Sequence, residues 1–136
     1  MRAVFDTNIF ISAFAIPGGK AEIAYRHAIR GTFQLITSLA ILTETANKLR
    51  SKFDWSDEKI RQLLKSIGKT ATVLKTQSQI DKILEDEPDN RILECAFDGE
   101  ADAIVTGDKR LLALKRYQGI SIVTLADFLG QLNAKP

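Results

Sequence analysis

The stretch MRAVFDTNIF, residues 1–10, puts a carboxylate, a hydroxyl and an amide directly after a short apolar run. Arg2–Phe5 reads as a strand, and the helical pattern Asn8–Ala15 begins almost at once. Asp6 therefore ends a strand and opens a helix, a position where an aspartate caps well. The same arrangement returns near the other end of the chain. In DAIVTGDKRLL, residues 102–112, Ala103–Thr106 is the strand and Asp108 follows it across Gly107.

Working outward, three further strands are expected at Phe33–Thr37, Thr70–Leu74 and Ile120–Val123. They are short, rich in Val, Ile, Thr and Phe, and bounded by Gly, Ser or charged residues. Helical periodicity fills the intervals at Lys20–Ile29, Leu39–Lys52, Asp57–Ile67, Asn90–Phe97, Arg110–Leu114 and Leu125–Leu132. Gly31, Gly68 and Gly119 stand where helices would stop before strands. Strands alternating with helices predict an α/β fold: three layers, helix–sheet–helix, around a parallel sheet of about five strands. One domain, residues 1–136, accounts for the whole length.

Composition agrees and narrows little else. Hydrophobic residues make up 45% of the chain and charged residues 26%, as in ordinary globular proteins. No apolar run approaches the roughly 18–20 residues of a membrane-spanning helix, and no signal peptide is visible. A single cysteine, Cys95, excludes an internal disulfide and fits a cytoplasmic location. The net charge of +2 does not announce a nucleic-acid binder, although a weakly basic chain can carry a local basic patch.

In open parallel sheets, ligands bind beyond the carboxyl ends of the strands, near the point where strand order reverses. That rule sorts the acids. Asp6 and Asp108 lie at carboxyl ends, whereas Asp102 precedes its strand and sits at the wrong end. Asp89, in EDEPDNRILECAF (residues 85–97), falls in a first helical turn behind Pro88 and shares a face with Leu93 and Ala96. Its carboxylate points along the inward stripe. Glu85, Asp86 and Glu87 read as a solvated acidic loop. In SLAILTETANKLR, residues 38–50, an apolar stripe of Leu39, Leu42, Ala46 and Leu49 leaves Glu44 on the opposite face, able to pair with Lys48 at i+4. His27 reads as a surface or packing residue and Cys95 as core. Phe53 and Trp55 are expected between helices, as packing residues.

These segments together resemble the PIN-domain nuclease family. VFDTN resembles its first strand and aspartate, TETANKL its glutamate-bearing helix, DNRILECA the helix opening with its third acid, and IVTGDKRLL its strand–Thr-x-Asp–helix segment. The likeness runs over nearly the whole chain and is nearest to the toxin ribonucleases of type II (VapC-like) toxin–antitoxin pairs. It implies a catalytic, metal-binding set of Asp6, Glu44, Asp89 and Asp108, with Asn8, Asn90 and Thr106 in the flanking polar positions. It also implies an endoribonuclease that hydrolyses RNA, a cognate antitoxin and a homodimer. All-oxygen ligands suit Mg²⁺ or Mn²⁺, and one His with one Cys cannot make a zinc site of the usual kind. Lys109 and Arg110 would grip substrate phosphates, with Lys115, Arg116, Arg50 and Lys52 as further cations.

Two other phosphotransfer families fit less well. A haloacid-dehalogenase-type phosphatase needs a second Asp two places after the first, and that position is Asn8. A receiver domain needs a strand-borne Asp near the middle of the fold, and Phe33–Thr37 supplies none. A non-catalytic RNA- or protein-binding module on the same fold remains the competing class, and intact Asp6, Asp89 and Asp108 count against it.

Overall fold

The computed structural model describes residues 1–75 and 87–133. In chain order the elements are β1 (Arg2–Phe5), α1 (Thr7–Ala15), α2 (Lys20–Ile29), β2 (Gln34–Ser38), α3 (Leu39–Phe53), α4 (Asp57–Thr70) and β3 (Thr72–Leu74). They continue with α5 (Glu87–Asp98), β4 (Ala103–Val105), α6 (Lys109–Leu114), β5 (Arg116–Tyr117), β6 (Ile120–Val123) and α7 (Leu125–Asn133). The acidic residues Glu85 and Asp86 lie outside the described residues. Glu87, expected in a loop with them, is the first residue of α5.

Side-chain caps set several of the helix starts. Asp6, Ser38, Ser56 and Asp108 each accept a hydrogen bond from a backbone N–H two or three residues on, which satisfies a donor that the helix itself cannot. Helix α3 ends on Asp54 at φ 55°, in the left-handed region.

The strands form one sheet in the order β3-β2-β1-β4-β6-β5. Among the described residues, β1, β2, β3, β4 and β6 pair in parallel, and β5 runs antiparallel against β6. The chain moves outward from β1 to β2 and β3, then returns to place β4 on the other side of β1. Strand order thus reverses between β1 and β4, the two strands that carry Asp6 and Asp108 at their carboxyl ends.

Helices cover both faces. Register puts Val4, Ile36, Ile104 and Ile122 side by side on one face. There the chain leaving α5 comes so close that a Cβ on Gly99 would stand 2.6 Å from Ile36 Cγ2. On the other face, Phe5 meets Phe10 of α1, Phe33, and Phe128 of α7 at centroid distances of 5.6, 5.8 and 6.2 Å. This aromatic cluster ties the first strand to the last helix. Among the described residues, no helix is long and apolar enough to cross a membrane.

Four expectations need correction. Among the described residues the sheet has six strands, and β5 was unforeseen: Lys115 turns the chain at φ 61° and Arg116 enters a strand. Gly119 ends no helix. Gln118 (φ 50°) and Gly119 (φ 80°) instead form the two-residue hairpin turn that type I′ geometry demands. Helix α4 runs through Gly68 to Thr70, because Ile60, Leu63 and Ile67 keep burying one face and the Ala71 N–H still reaches Ile67 O, at 2.8 Å. Phe53 is the last residue of α3 rather than a linker residue, while Trp55 packs against the core with the Lys59 ammonium 4.0 Å from its ring centroid.

Candidate active site

Asp6 is the centre of the site. Its backbone extends the sheet by one more bond, N–H to Val105 O at 3.1 Å, before the chain turns into α1. The side chain is 5% exposed. Oδ1 accepts from the Ile9 N–H at 3.0 Å, and Oδ2 accepts from the Thr106 hydroxyl. Thr106 is fully buried, and its oxygen also accepts the Asp108 N–H at 3.0 Å. One hydroxyl therefore joins the ends of β1 and β4 across one hundred residues of sequence. Asp108 caps α6 in turn, its Oδ1 taking the N–H groups of Arg110 and Leu111 at 2.8 and 3.2 Å.

Burial pushes the Asp6 carboxyl above the usual carboxylate range. The Thr106 hydroxyl and the N–H groups of Ile9 and Asn8 oppose that rise, and the nearby Asp108 adds to it. A carboxylate held this way gains from any cation placed beside it.

A pocket of about 70 Å³ opens at this edge, lined by Asp6, Thr7, Asn8, Lys48, Asp89, Ile92 and Asp108. Three of the four expected acids thus meet in one cavity. Asp89 is buried in the first turn of α5, with Leu93 and Ala96 buried along the same helix. Asn8 is exposed at the rim, and Asn90 is buried. Lys109 and Arg110 are exposed on the first turn of α6, next to Asp108. Arg50 is engaged elsewhere, its Nε 3.0 Å from Asp57 at the α3–α4 junction.

A family model described as PIN domain matches residues 2–110. The chain belongs to the PIN domain family. A curated relative of this PIN domain, the uncharacterized protein MJ1680 of Methanocaldococcus jannaschii, is 28% identical over 123 residues, covering 85% of this chain and 76% of its own. Solved structures share the fold. VapBC2 from Rickettsia felis, bound to a DNA fragment from its promoter, aligns at TM-score 0.65 and 14% identity over 91% of this chain and 98% of its own. PAE2754 from Pyrobaculum aerophilum aligns at 0.64 and 19% identity over 99% and 91%. VapBC-1 from nontypeable Haemophilus influenzae aligns at 0.64 and 15% identity over 93% and 99%.

Glu44 is placed differently from the three aspartates. It does not line the pocket; its Oε1 lies 3.8 Å from Nζ of Lys48, which does. The expected stripe on α3 was also out of register. Leu39 is 54% exposed, while Ile41, Thr45, Ala46 and Leu49 are buried. Thr45 can be buried because its hydroxyl bonds Ile41 O at 2.8 Å. At 3.6 residues per turn this rotates the buried face by roughly 60° toward Glu44 and Lys48. Lys48, named from sequence only as a partner of Glu44, and Ile92 are pocket residues that periodicity missed.

Cys95, His27 and Glu94 of this PIN domain do not line the pocket. Cys95 is fully buried and its thiol is pushed up to about 12 by that burial, which makes it inert. His27 bonds the Thr32 hydroxyl at the surface. Buried Glu94 pairs with Arg91 at 2.7 Å.

The donor set of the pocket suits a hard divalent ion: aspartate carboxylates and an asparagine amide, with no sulfur or imidazole. Among the described residues, no three His, Cys, Asp or Glu side chains stand close enough to clasp a bare ion. A Mg²⁺ ion keeps several of its waters and needs only one or two direct carboxylates. The pocket fits an ion of that kind.

Proposed function

We propose that this PIN domain is a Mg²⁺- or Mn²⁺-dependent endoribonuclease, the toxin of a toxin–antitoxin pair. The observation that carries the proposal is the meeting of Asp6, Asp89 and Asp108, from three separated parts of the chain, in one small pocket at the strand-order reversal. A hard divalent ion held there by these carboxylates would supply positive charge to a phosphodiester and lower the pKa of a water. The protein's own part is positional. Thr106 fixes the Asp6 carboxylate, the Asn8 N–H supports it, and α6 holds Asp108 by two N–H bonds. Lys109 and Arg110, exposed beside Asp108, would meet backbone phosphates without regard to sequence.

An antitoxin would lay a peptide or helix across the acidic pocket, with an arginine on the carboxylates. The likeness to solved VapBC structures supports such a partner. A homodimer acting in the cytoplasm completes the proposal, and light scattering reads the oligomeric state.

The test is cleavage of a mixed structured RNA pool by purified protein in Mg²⁺, Mn²⁺ or EDTA, beside Asp6→Asn. Cleavage that requires metal and vanishes in the variant is the expected result. Folded, metal-replete, partner-free protein that leaves the pool intact would move the assignment to a non-catalytic binding module.

A further inference from the structure

Lys48 brings an ammonium to a pocket lined by three aspartates, Asp6, Asp89 and Asp108, beside Thr7, Asn8 and Ile92. Its side chain is 26% exposed, so it gives up much of the hydration an ammonium would keep on an open surface. Among the described residues its partner is Glu44, at 3.8 Å, an ion pair too long for a tight hydrogen bond. An ammonium carries three donors, and that pair leaves them available to a ligand in the pocket.

We propose that Lys48 binds the RNA phosphate at the cleavage point, and that Glu44 acts as a positioning residue that holds the ammonium over the pocket. The proposal rests on the endoribonuclease function above. A phosphate entering between Lys48 and an ion on the aspartates would be met by positive charge from two sides. It would also relieve the repulsion between Lys48 and that ion. Glu44 stands one helical turn from Lys48, where i+4 geometry keeps the two together. Its carboxylate is a third exposed and does not line the cavity, which suits a group that acts through its neighbour.

The experiment uses the full chain and three readouts. The first is affinity for the fluorescently labelled structured RNA pool in EDTA, where nothing is cut, across a series of salt concentrations. The second is Mn²⁺ affinity without RNA, by electron paramagnetic resonance. The third is cleavage in Mg²⁺. Lys48→Met is expected to weaken RNA binding by about tenfold, as the loss of one charge-assisted contact would. It should also lower the slope of log K against log salt by about 0.7, one single-strand phosphate. Lys65→Met, an equal charge change on the exposed face of α4, should leave that slope unchanged. Glu44→Gln should weaken RNA binding in the same direction without loss of Mn²⁺ affinity, and the double variant should bind no worse than Lys48→Met alone.

RNA affinity and salt slope unchanged in Lys48→Met, with Mn²⁺ bound more tightly, would reduce Lys48 to a counter-ion of the aspartates and overturn the proposal. Loss of Mn²⁺ in Glu44→Gln would overturn the role given to Glu44. A wild type that binds RNA but cuts none overturns the nuclease function beneath the proposal. A wild type that cuts while Lys48→Met matches its affinity overturns the Lys48 assignment alone.

Discussion

At the scale of single residues, the site depends on how one hydroxyl divides its bonding. Thr106 donates to Asp6 and accepts from the Asp108 N–H, so it sets the spacing of two carboxylates. Thr106→Val keeps the shape and removes both bonds. It should cost about 1–3 kcal/mol, the range for a buried group left unsatisfied, with Thr106→Ser restoring most of it in calorimetry. The Asp6 carboxyl gives a second expectation, in which the sign matters. Its pKa is raised in the fold by burial. Asp6 therefore favours the folded state below its unfolded value near 3.8, and that contribution is lost as pH rises through the higher folded value. Asp6→Asn removes the titration. In EDTA, the melting temperature of the variant should move upward relative to wild type as pH is raised from about 4 to 7. A gap that stays constant over that window would show that burial of Asp6 costs nothing.

At the scale of elements, close packing decides between tolerated and costly changes. A Cβ on Gly99 would meet Ile36 Cγ2 at 2.6 Å, Cys95 O at 3.0 Å and Leu74 Cδ1 at 3.1 Å. Gly99→Ala should cost about 1–3 kcal/mol by overpacking, read as a lower urea midpoint with the slope unchanged. The elements also show what the sequence carried openly. β1, α2 and β6 have the expected bounds, because apolar runs and breaks such as Pro17-Gly18-Gly19 mark them clearly. The acids at strand ends were legible for a related reason: an aspartate that caps a helix just after a strand identifies its own location. Glu44 and Lys48 were not legible. Periodicity counts apolar residues, so it admitted Leu39 and passed over Thr45, a polar residue buried by its bond to the helix backbone. The short strand β5 was missed because two residues, Arg116 and Tyr117, show no alternation, and Gln-Gly is a weak hairpin signal beside Asn-Gly.

At the scale of the whole molecule, the Phe5–Phe10–Phe33–Phe128 cluster joins elements from both ends of the chain. Phe33 and Phe128 pack edge to face at 4.9 Å. Phe128→Ala should cost about 3–5 kcal/mol, a large share of the 5–15 kcal/mol that stabilises a typical domain. Denaturant unfolding measures the loss. A variant that still unfolds in one cooperative step would show that α7 belongs to the same folding unit as the sheet. The central place of β1 has a consequence for the order in which a ribosome delivers this chain. The strand that bears Asp6 is made before the rest of the sheet described here, and one of its two neighbours, β4, arrives about a hundred residues later, with Thr106 and Asp108 just behind it. Until that segment has emerged, Asp6 lacks the hydroxyl that fixes it and the acid that faces it. A chain synthesised only as far as β3 therefore holds no assembled pocket, and the site forms only once the segment through Asp108 has emerged.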